Sequence, residues 1–420
     1  MVRRKTIGMV HPADLTGSNA GQAGEHNRAL VLRAIHRDAP ISRAELARHC
    51  GLTKQTIARI ADRLLDEGLI MEARRRRGLR GQPAIELEID PEGCFSIGVD
   101  IDRDHLTIVA VDATNAIRGR VHHEERFILP NEAMAMVGDA ISYFRRSKVI
   151  DEARLTGIGL AIPDWLGEIA FLGKPESYDQ WATFDVRAAL GELTSHPIFI
   201  DNESNAAAVA ELDYGLGAES RSFLYIYISA CTGGGLVLDG TRHRGALGLS
   251  GEIGWLPVSD AAEPGRGKVQ PLGELFSLFF LYDYLRQHDV EVSAPHDLLS
   301  LDARGRGLVS TWLRQMSRYI AEAVIHVGLI VDPDAVIVGG RLPVRMVDEL
   351  LRHVHEHLSE ADPDLPSIHR AAISEDAAAL GAAAMSTAAA LMLGSADPAQ
   401  RTRQPLHMTE PRAAAALEPV

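Results

Sequence analysis

Thr53-Lys54-Gln55-Thr56-Ile57-Ala58-Arg59-Ile60-Ala61-Asp62-Arg63-Leu64-Leu65-Asp66-Glu67-Gly68 is the stretch from which the organisation of the chain can be read. Ile57, Ile60, Ala61, Leu64 and Leu65 recur at the spacing of one helical face, Thr53 stands at the cap, and Gly68 suits the left-handed position beyond a helix end. The spacing predicts a helix over Lys54 to Glu67. Upstream, Ser42 with Glu45 three residues on forms a capping box for a short helix that stops at Cys50-Gly51-Leu52. Leu30, Val31, Ala34 and Ile35 mark an earlier helix that starts near His26 and ends around Asp38 to Pro40. Helix, tight turn and capped helix together predict a helix-turn-helix. Downstream come Leu69 and Ile70, the run Arg74-Arg75-Arg76-Arg77, the turn Gly78-Leu79-Arg80-Gly81-Gln82-Pro83 and an alternating strand from Ala84 to Ile89. They predict two short strands around a basic tip, a wing.

Charge agrees with that reading. The 420 residues carry 43 Lys+Arg against 57 Asp+Glu, a net of −14, yet residues 26–90 hold 13 basic and 9 acidic side chains, a net of +4 that leaves −18 for the rest. Phosphate contact is expected only of the basic part. If the third helix enters a major groove, Lys54, Gln55, Thr56 and Arg59 reach phosphates and base edges, while Arg74, Arg75, Arg76, Arg77, Arg80 and Gln82 reach phosphates or the adjacent minor groove. The expected partner is double-stranded DNA. A protein-docking module with a solvated arginine loop is the alternative, and it does not require caps, wing and local charge to coincide.

Working outward, Asp90-Pro91-Glu92-Gly93 reads as a boundary. Strand patterns then recur at Phe95 to Ile101, Leu106 to Asp112, Thr156 to Ile162, Ile198 to Asp201, Phe223 to Ile228, Gly235 to Leu238 and Ala335 to Val338, with helical patterns between them and a last Ala-rich helix from Asp376 to Leu393. Two such series predict an α/β fold of two lobes around a cleft over residues 94–394, preceded by a winged helix-turn-helix over 26–91. Residues 1–25 and 395–420 lack periodicity and read as disordered tails. With 46% hydrophobic and 24% charged residues the chain has the usage of a globular protein, which excludes collagenous and disulfide-scaffold classes. Cys50, Cys94 and Cys231 stand far apart, and no long apolar run occurs, so the expectation is a cytoplasmic protein without a membrane partner.

The winged module followed by Ile97-Gly98-Val99-Asp100-Ile101-Asp102, Asp201-Asn202-Glu203-Ser204-Asn205-Ala206-Ala207, Gly233-Gly234-Gly235-Leu236-Val237-Leu238-Asp239-Gly240 and Gly251-Glu252-Ile253-Gly254 resembles the ROK family, whose name joins repressors, open reading frames and sugar kinases. The resemblance covers roughly residues 26–390 in one order. It implies an actin-like, ribonuclease-H-like two-lobed fold with sugar bound between the lobes.

Fold alone does not choose between kinase and repressor, but the motif residues differ from the kinase pattern. The resemblance places a Gly where this chain has Asp102, a Gly-Thr-Gly phosphate loop where it has Ser229-Ala230-Cys231-Thr232, and a catalytic Asp where it has Glu203. Side chains replacing glycine obstruct backbone approach to phosphate, and a carboxylate beside phosphate is repelled. The zinc site that the resemblance implies, one His and three Cys, meets Trp255, Pro264, Arg266 and Pro271 instead, none of which supplies the thiolate or imidazole zinc takes. No metal and no cofactor are expected.

For the effector, the resemblance carries over Asn202, Glu203 and Glu252 as sugar-hydroxyl contacts, with Trp255 in place of a sugar-holding His, Ser177 in place of a contacting Asn, and Asp164 in an altered turn, Ala161 to Trp165. Trp165, Trp181 and Trp255 are stacking candidates, although residue type taken alone favours an ordinary core role for each. His353, His355 and His357, beside Arg352 and Glu356, read as a solvated cluster on a surface helix rather than a metal site. Gly339-Gly340 reads as a plain strand-to-helix connection. The resulting expectation is a repressor that binds a palindromic operator as a dimer or tetramer and answers to a sugar-like effector. A sugar kinase that keeps a DNA-binding head is the alternative, and a regulator with a silent pocket is a third reading.

Overall fold

The computed structural model describes residues 20–73, 85–168, 173–259, 269–359 and 365–393. Contacts divide the chain between Asp90 and Pro91 and group the end of the last helix, from Ala389, with the N-terminal unit. The N-terminal unit runs α1 (Ala20–Asp38), β1 (Ile41–Ser42), α2 (Arg43–His49), α3 (Lys54–Asp66), β2 (Ile70–Glu72) and β3 (Glu86–Ile89). Ser42 Oγ accepts from Glu45 N while Glu45 Oε2 accepts from Ser42 N at 3.0 Å, so the capping box closes in both directions. Thr53 Oγ1 accepts from Thr56 N at 3.1 Å and starts α3. At the other end Gly68, at φ +68°, lets Leu69 N reach Leu64 O and Gly68 N reach Leu65 O.

Ile35, Leu46, Ile57, Leu64 and Leu87 are fully buried in this unit. Each such side chain stabilises by about 1.5–3 kcal/mol relative to exposure. Two expectations are corrected. α1 begins at Ala20 rather than near His26, because Ala, Gln and Glu sustain a helix without an apolar stripe, so residues 20–25 are helical and not tail. β1 was not anticipated, since two residues are too few for alternation, but it pairs with β3 and completes a sheet of order β1-β3-β2. Arg74 to Arg77, Arg80 and Gln82 lie outside the described residues, as do residues 1–19 and 394–420; β2 and β3 on either side pair antiparallel, Met71 opposite Glu88.

The larger unit holds two lobes. The first contains β4 (Phe95–Ile101), β5 (His105–Asp112), β6 (Ile117–Glu124), α4 (Pro130–Arg146), β7 (Leu155–Ala161), α5 (Val186–Leu193) and β8 (Ile198–Asp201), and α6 (Glu203–Tyr214) follows it. The second contains β9 (Phe223–Ile228), β10 (Thr232–Leu238), β11 (Thr241–Arg242), β12 (Pro257–Ser259), β13 (Val269–Pro271), α7 (Leu278–Gln287), α8 (Ala303–Val331), β14 (Ala335–Gly340), α9 (Val344–Leu358) and β15 (Ser367–Arg370), and α10 (Ala377–Leu393) closes the unit. The sheets run β6-β5-β4-β7-β8 and β11-β10-β9-β14-β15. In each, the first three strands form an antiparallel meander and the last two add in parallel, so the two lobes share one topology.

α6 and α10 fill the space between the sheets. Ala206, Ala207, Ala208, Ala377, Ala378 and Ala382 share a core with Tyr225, Tyr227 and Ile337, while Ala379 and Ala383 pack on Val109 and Val111. Small residues are required there. A Cβ on Gly98 would meet Ala379 O, and one on Gly159 would meet Ala382 O, well inside van der Waals contact. Among the described residues no helix is long and apolar enough to cross a membrane.

Candidate functional site

Two surfaces collect the residues singled out by sequence. On the N-terminal unit, Lys54, Gln55 and Arg59 are exposed on the first two turns of α3. Thr56 is half-buried, and its hydroxyl lies 2.9 Å from Thr53 Oγ1, so it serves the cap. An exposed Lys, Gln and Arg at a helix start can reach phosphates and base edges.

The second surface is a 670 Å³ cavity in the larger unit, lined by Asp164, Asn202, Glu203, Glu252, Trp165 and Trp255 among others. Asn202 caps α6, its Oδ1 accepting from Ser204 N at 2.8 Å, while its Nδ2 donates to Asp164 Oδ2 at 3.2 Å. Asp201 fixes this turn: its Oδ1 accepts from Asn202 N at 2.9 Å, and Arg242 and Arg244 pair with its Oδ2 at 2.6 and 3.1 Å. Glu203 is buried and Glu252 partly so, and each has one buried carboxylate oxygen, Oε2 and Oε1, without a hydrogen-bond partner. A buried oxygen left in this state is costly and favours a ligand that donates to it.

The acidities follow. Burial pushes the Glu203 carboxyl well above its ordinary value, with the Asp102 charge adding to the rise and Arg103 opposing it. Burial, then Asp164, lifts Glu252 to about 7. Asp164 is itself raised by burial and by Asp201. Protonated, these groups donate to a sugar hydroxyl; ionised, they accept from one.

At the mouth, Trp165 and Trp255 meet edge to face, ring centroids 5.7 Å apart at 87°. They are 38% and 53% exposed, which corrects their reading as core aromatics, whereas Trp181 is buried at 6% and donates to Ile128 O. Ser177 is exposed in the turn Glu176–Thr183 and is not among the cavity's lining residues; its neighbour Tyr178 is the buried member of that turn. Sequence reading missed Arg103, Arg126, Phe279 and Tyr282, which also line the cavity. Arg126 lies 5.2 Å from the Phe279 ring centroid and 5.3 Å from that of Tyr282, a pairing that no motif spacing reveals.

Deeper between the lobes stands a buried ionic network at the turns where the family resemblance implies phosphate loops. Asp102 Oδ2 accepts from Ser229 Oγ at 2.6 Å, and Asp102 Oδ1 accepts from Arg103 N at 2.7 Å. His105 lies 2.7 Å from Asp104 Oδ1 and 3.0 Å from Asp100 Oδ2. Arg341, just past β14, pairs with Asp104 at 2.9 Å and with Glu124. Burial and Arg341 lower the His105 pKa, but Asp100 and Asp104 outweigh them and lift it to about 10, which favours the cationic ring. Asp102, Asp104 and His105 are close enough to share a metal ion, yet Arg103 and Arg341 already face them. The zinc donor set fits no better: Trp255 and Pro271 offer no ligand atom, and Pro264 and Arg266 lie outside the described residues.

His353, read from sequence as solvated, is 2% exposed, with Nδ1 3.0 Å from Glu356 Oε2 and Nε2 3.0 Å from Arg352. Its place beside the buried Val347, Leu350 and Val354 turns it inward, while His355 and His357 are exposed.

Comparison with known proteins agrees with this architecture. Residues 25–80 match the MarR family model, and residues 96–389 match the model of the ROK family. The xylose repressor of Bacillus spizizenii is 28% identical over 235 residues, 55% of this chain and 60% of that protein, so the chain spans about 60% of the length of that relative. A ROK family transcriptional regulator, a homolog of the E. coli MLC protein, superposes with TM-score 0.62 at 19% identity over 89% of this chain and 98% of that one. A ROK family glucokinase from Streptomyces griseus, solved with glucose and AMPPNP, superposes with TM-score 0.52 at 19% identity over 69% and 98%. At such identity these two likenesses speak for the fold. The ROK family model spans well over half of the sequence, and the chain belongs to the ROK family.

Proposed function

We propose that this protein is a transcriptional repressor that binds operator DNA through its N-terminal unit and is controlled by a sugar or sugar derivative held between the lobes of its larger unit. The observation that carries this reading is the presence, on one chain, of an exposed Lys54-Gln55-Arg59 helix start and a cavity whose buried Glu203 and Glu252 oxygens await donors. The similarity to a protein named xylose repressor supports it. The protein acts in the cytoplasm as a homo-oligomer, whose two-fold symmetry matches a palindromic operator. Arg74 to Arg77, Arg80 and Gln82 add phosphate or minor-groove contacts from the wing.

The effector changes DNA affinity only if it prefers one arrangement of the lobes, and a ligand touching Asp164 from one lobe and Glu252 from the other has that differential contact. The ATP and zinc sites are degenerate in this reading. Asp102, bonded to Ser229, closes the turns that would cradle phosphate, and neither Trp255 nor Pro271 ligates zinc. Fluorescence anisotropy on DNA from the protein's own promoter region, at moderate salt and with a sugar panel, tests the proposal. Saturable binding changed by one sugar supports it, and failure to bind that DNA overturns it. The second reading, a kinase with a DNA-binding head, has the glucokinase-like fold in its favour and is distinguished by coupled ATP turnover over the same sugars.

A further inference from the structure

The tryptophan pair at the cavity mouth asks for more ligand than one sugar ring. Trp165 sits at φ +53°, a left-handed backbone conformation that bulky side chains avoid, and is held there in the turn that follows β7 of the first lobe. Trp255 ends the short helical turn Ile253–Trp255 of the second lobe. Both indoles are substantially exposed, at 38% and 53%, while the polar groups suited to sugar hydroxyls, Glu203 and Glu252, turn one buried carboxylate oxygen each away from any protein partner. Strain and exposure are therefore accepted at one spot, where two aromatic rings from different lobes meet at 5.7 Å beside a polar cavity.

Indole faces carry negative quadrupole density and pack well on the C–H faces of pyranose rings, whose hydroxyls point outward to the side. The cavity, at 670 Å³, falls in the range of sites for drug-sized ligands, about 300–1,000 Å³. Carboxyl groups of Asp164, Glu203 and Glu252 and guanidinium groups of Arg103 and Arg126 line the same cavity, a mixture of acceptors and donors that suits an array of hydroxyls.

We propose that the site takes a disaccharide or longer glycan, with one ring hydrogen-bonded among Asn202, Glu203 and Glu252 and the next ring stacked on the Trp165–Trp255 pair. The inference rests on the reading of this cavity as the effector site. Because each lobe supplies one tryptophan, the second ring also couples ligand length to the arrangement of the lobes, so longer ligands are the stronger effectors.

The experiment is isothermal titration of the full chain with xylose, glucose and N-acetylglucosamine and with their disaccharides xylobiose, cellobiose, maltose and chitobiose, with tryptophan emission recorded in parallel. The expected result is at least one disaccharide that binds about tenfold more tightly than its monosaccharide, equivalent to about 1.4 kcal/mol, with an emission change that the monosaccharide lacks. Trp255→Ala is expected to erase that advantage by weakening the disaccharide about tenfold more than the monosaccharide, while Trp255→Phe retains most of it. Equal affinity for monosaccharide and disaccharide, or equal weakening of both by Trp255→Ala in a variant that melts like the parent, overturns the second-ring site while leaving the effector reading intact. Silence with every sugar overturns the effector reading and the proposal together.

Discussion

Ser229 Oγ donates a 2.6 Å hydrogen bond to Asp102 Oδ2, tying the β9–β10 turn of one lobe to the β4–β5 turn of the other. A phosphate entering between these turns would have to break that bond and approach a buried carboxylate. ATP with Mg²⁺ is therefore expected to leave the melting temperature unchanged, and coupled assays to show background turnover with every sugar. Ser229→Ala should lower unfolding stability by about 1.5–3 kcal/mol, the range for a hydrogen bond to a charged group. An ATP-dependent rise in melting temperature, or a silent Ser229→Ala, would contradict this role.

Arg341 has a fully buried guanidinium facing Asp104 and Glu124 from across the cleft. Removing it leaves Asp104 buried with its compensation reduced to His105 and the more distant Arg126. Arg341→Met is expected to cost about 3–5 kcal/mol in urea denaturation, as the breaking of buried pairs does. A loss below about 1 kcal/mol would mean that the network relaxes freely or is open to water.

Glu252 predicts a pH dependence whose sign can be fixed. Its ordinary value is 4.5 and its folded value about 7, so between these limits the native state holds a proton that the unfolded state has released. Stability then falls as pH rises through that window, and the favourable contribution is complete only below about pH 4.5. Glu252→Gln is expected to flatten this slope and to raise the melting temperature above pH 7 by a few degrees, about 2–4 °C. Parallel slopes for the two proteins between pH 5 and 7 would refute the assignment.

On the DNA side, Gln55 and Lys54 separate two kinds of contact. Gln55→Ala should relax preference at one base pair of the operator, at a cost of about 1–3 kcal/mol, with little change on unrelated DNA. Lys54→Ala should weaken all sequences alike and reduce the salt slope by roughly one unit. Titrations at three salt concentrations on operator and scrambled DNA read both effects, and an exchange of the two behaviours would reassign the residues.

What could be read in advance follows from how local each signal is. The caps at Ser42 and Thr53 and the Gly68 stop are decided within a few residues, and these element ends are where their spacing put them. β6 (Ile117–Glu124) escaped because an edge strand of Arg, Gly and His, with no residue buried, carries no clear apolar alternation. The cavity acids were legible through motif resemblance, but the exposure of Trp165 and Trp255 was not, since residue type predicts burial and only the tertiary fold sets two indoles at a mouth. Ser177 failed for the opposite reason: its placement depended on register in a turn where the buried residue is Tyr178. The Asp104–Arg341 pair joins residues 237 positions apart, beyond any local pattern.

α10 begins at Ala377, yet its Ala379 and Ala383 pack on Val109 and Val111 and its Ala382 lies against Gly159, all in the first lobe. On the ribosome, the first lobe thus emerges roughly 200 residues before the helix that covers one face of its sheet. The two lobes cannot mature one after the other. The second must be made, and the last helix must thread back between the sheets, before either is finished, which predicts slow, late folding dominated by sequence-distant contacts.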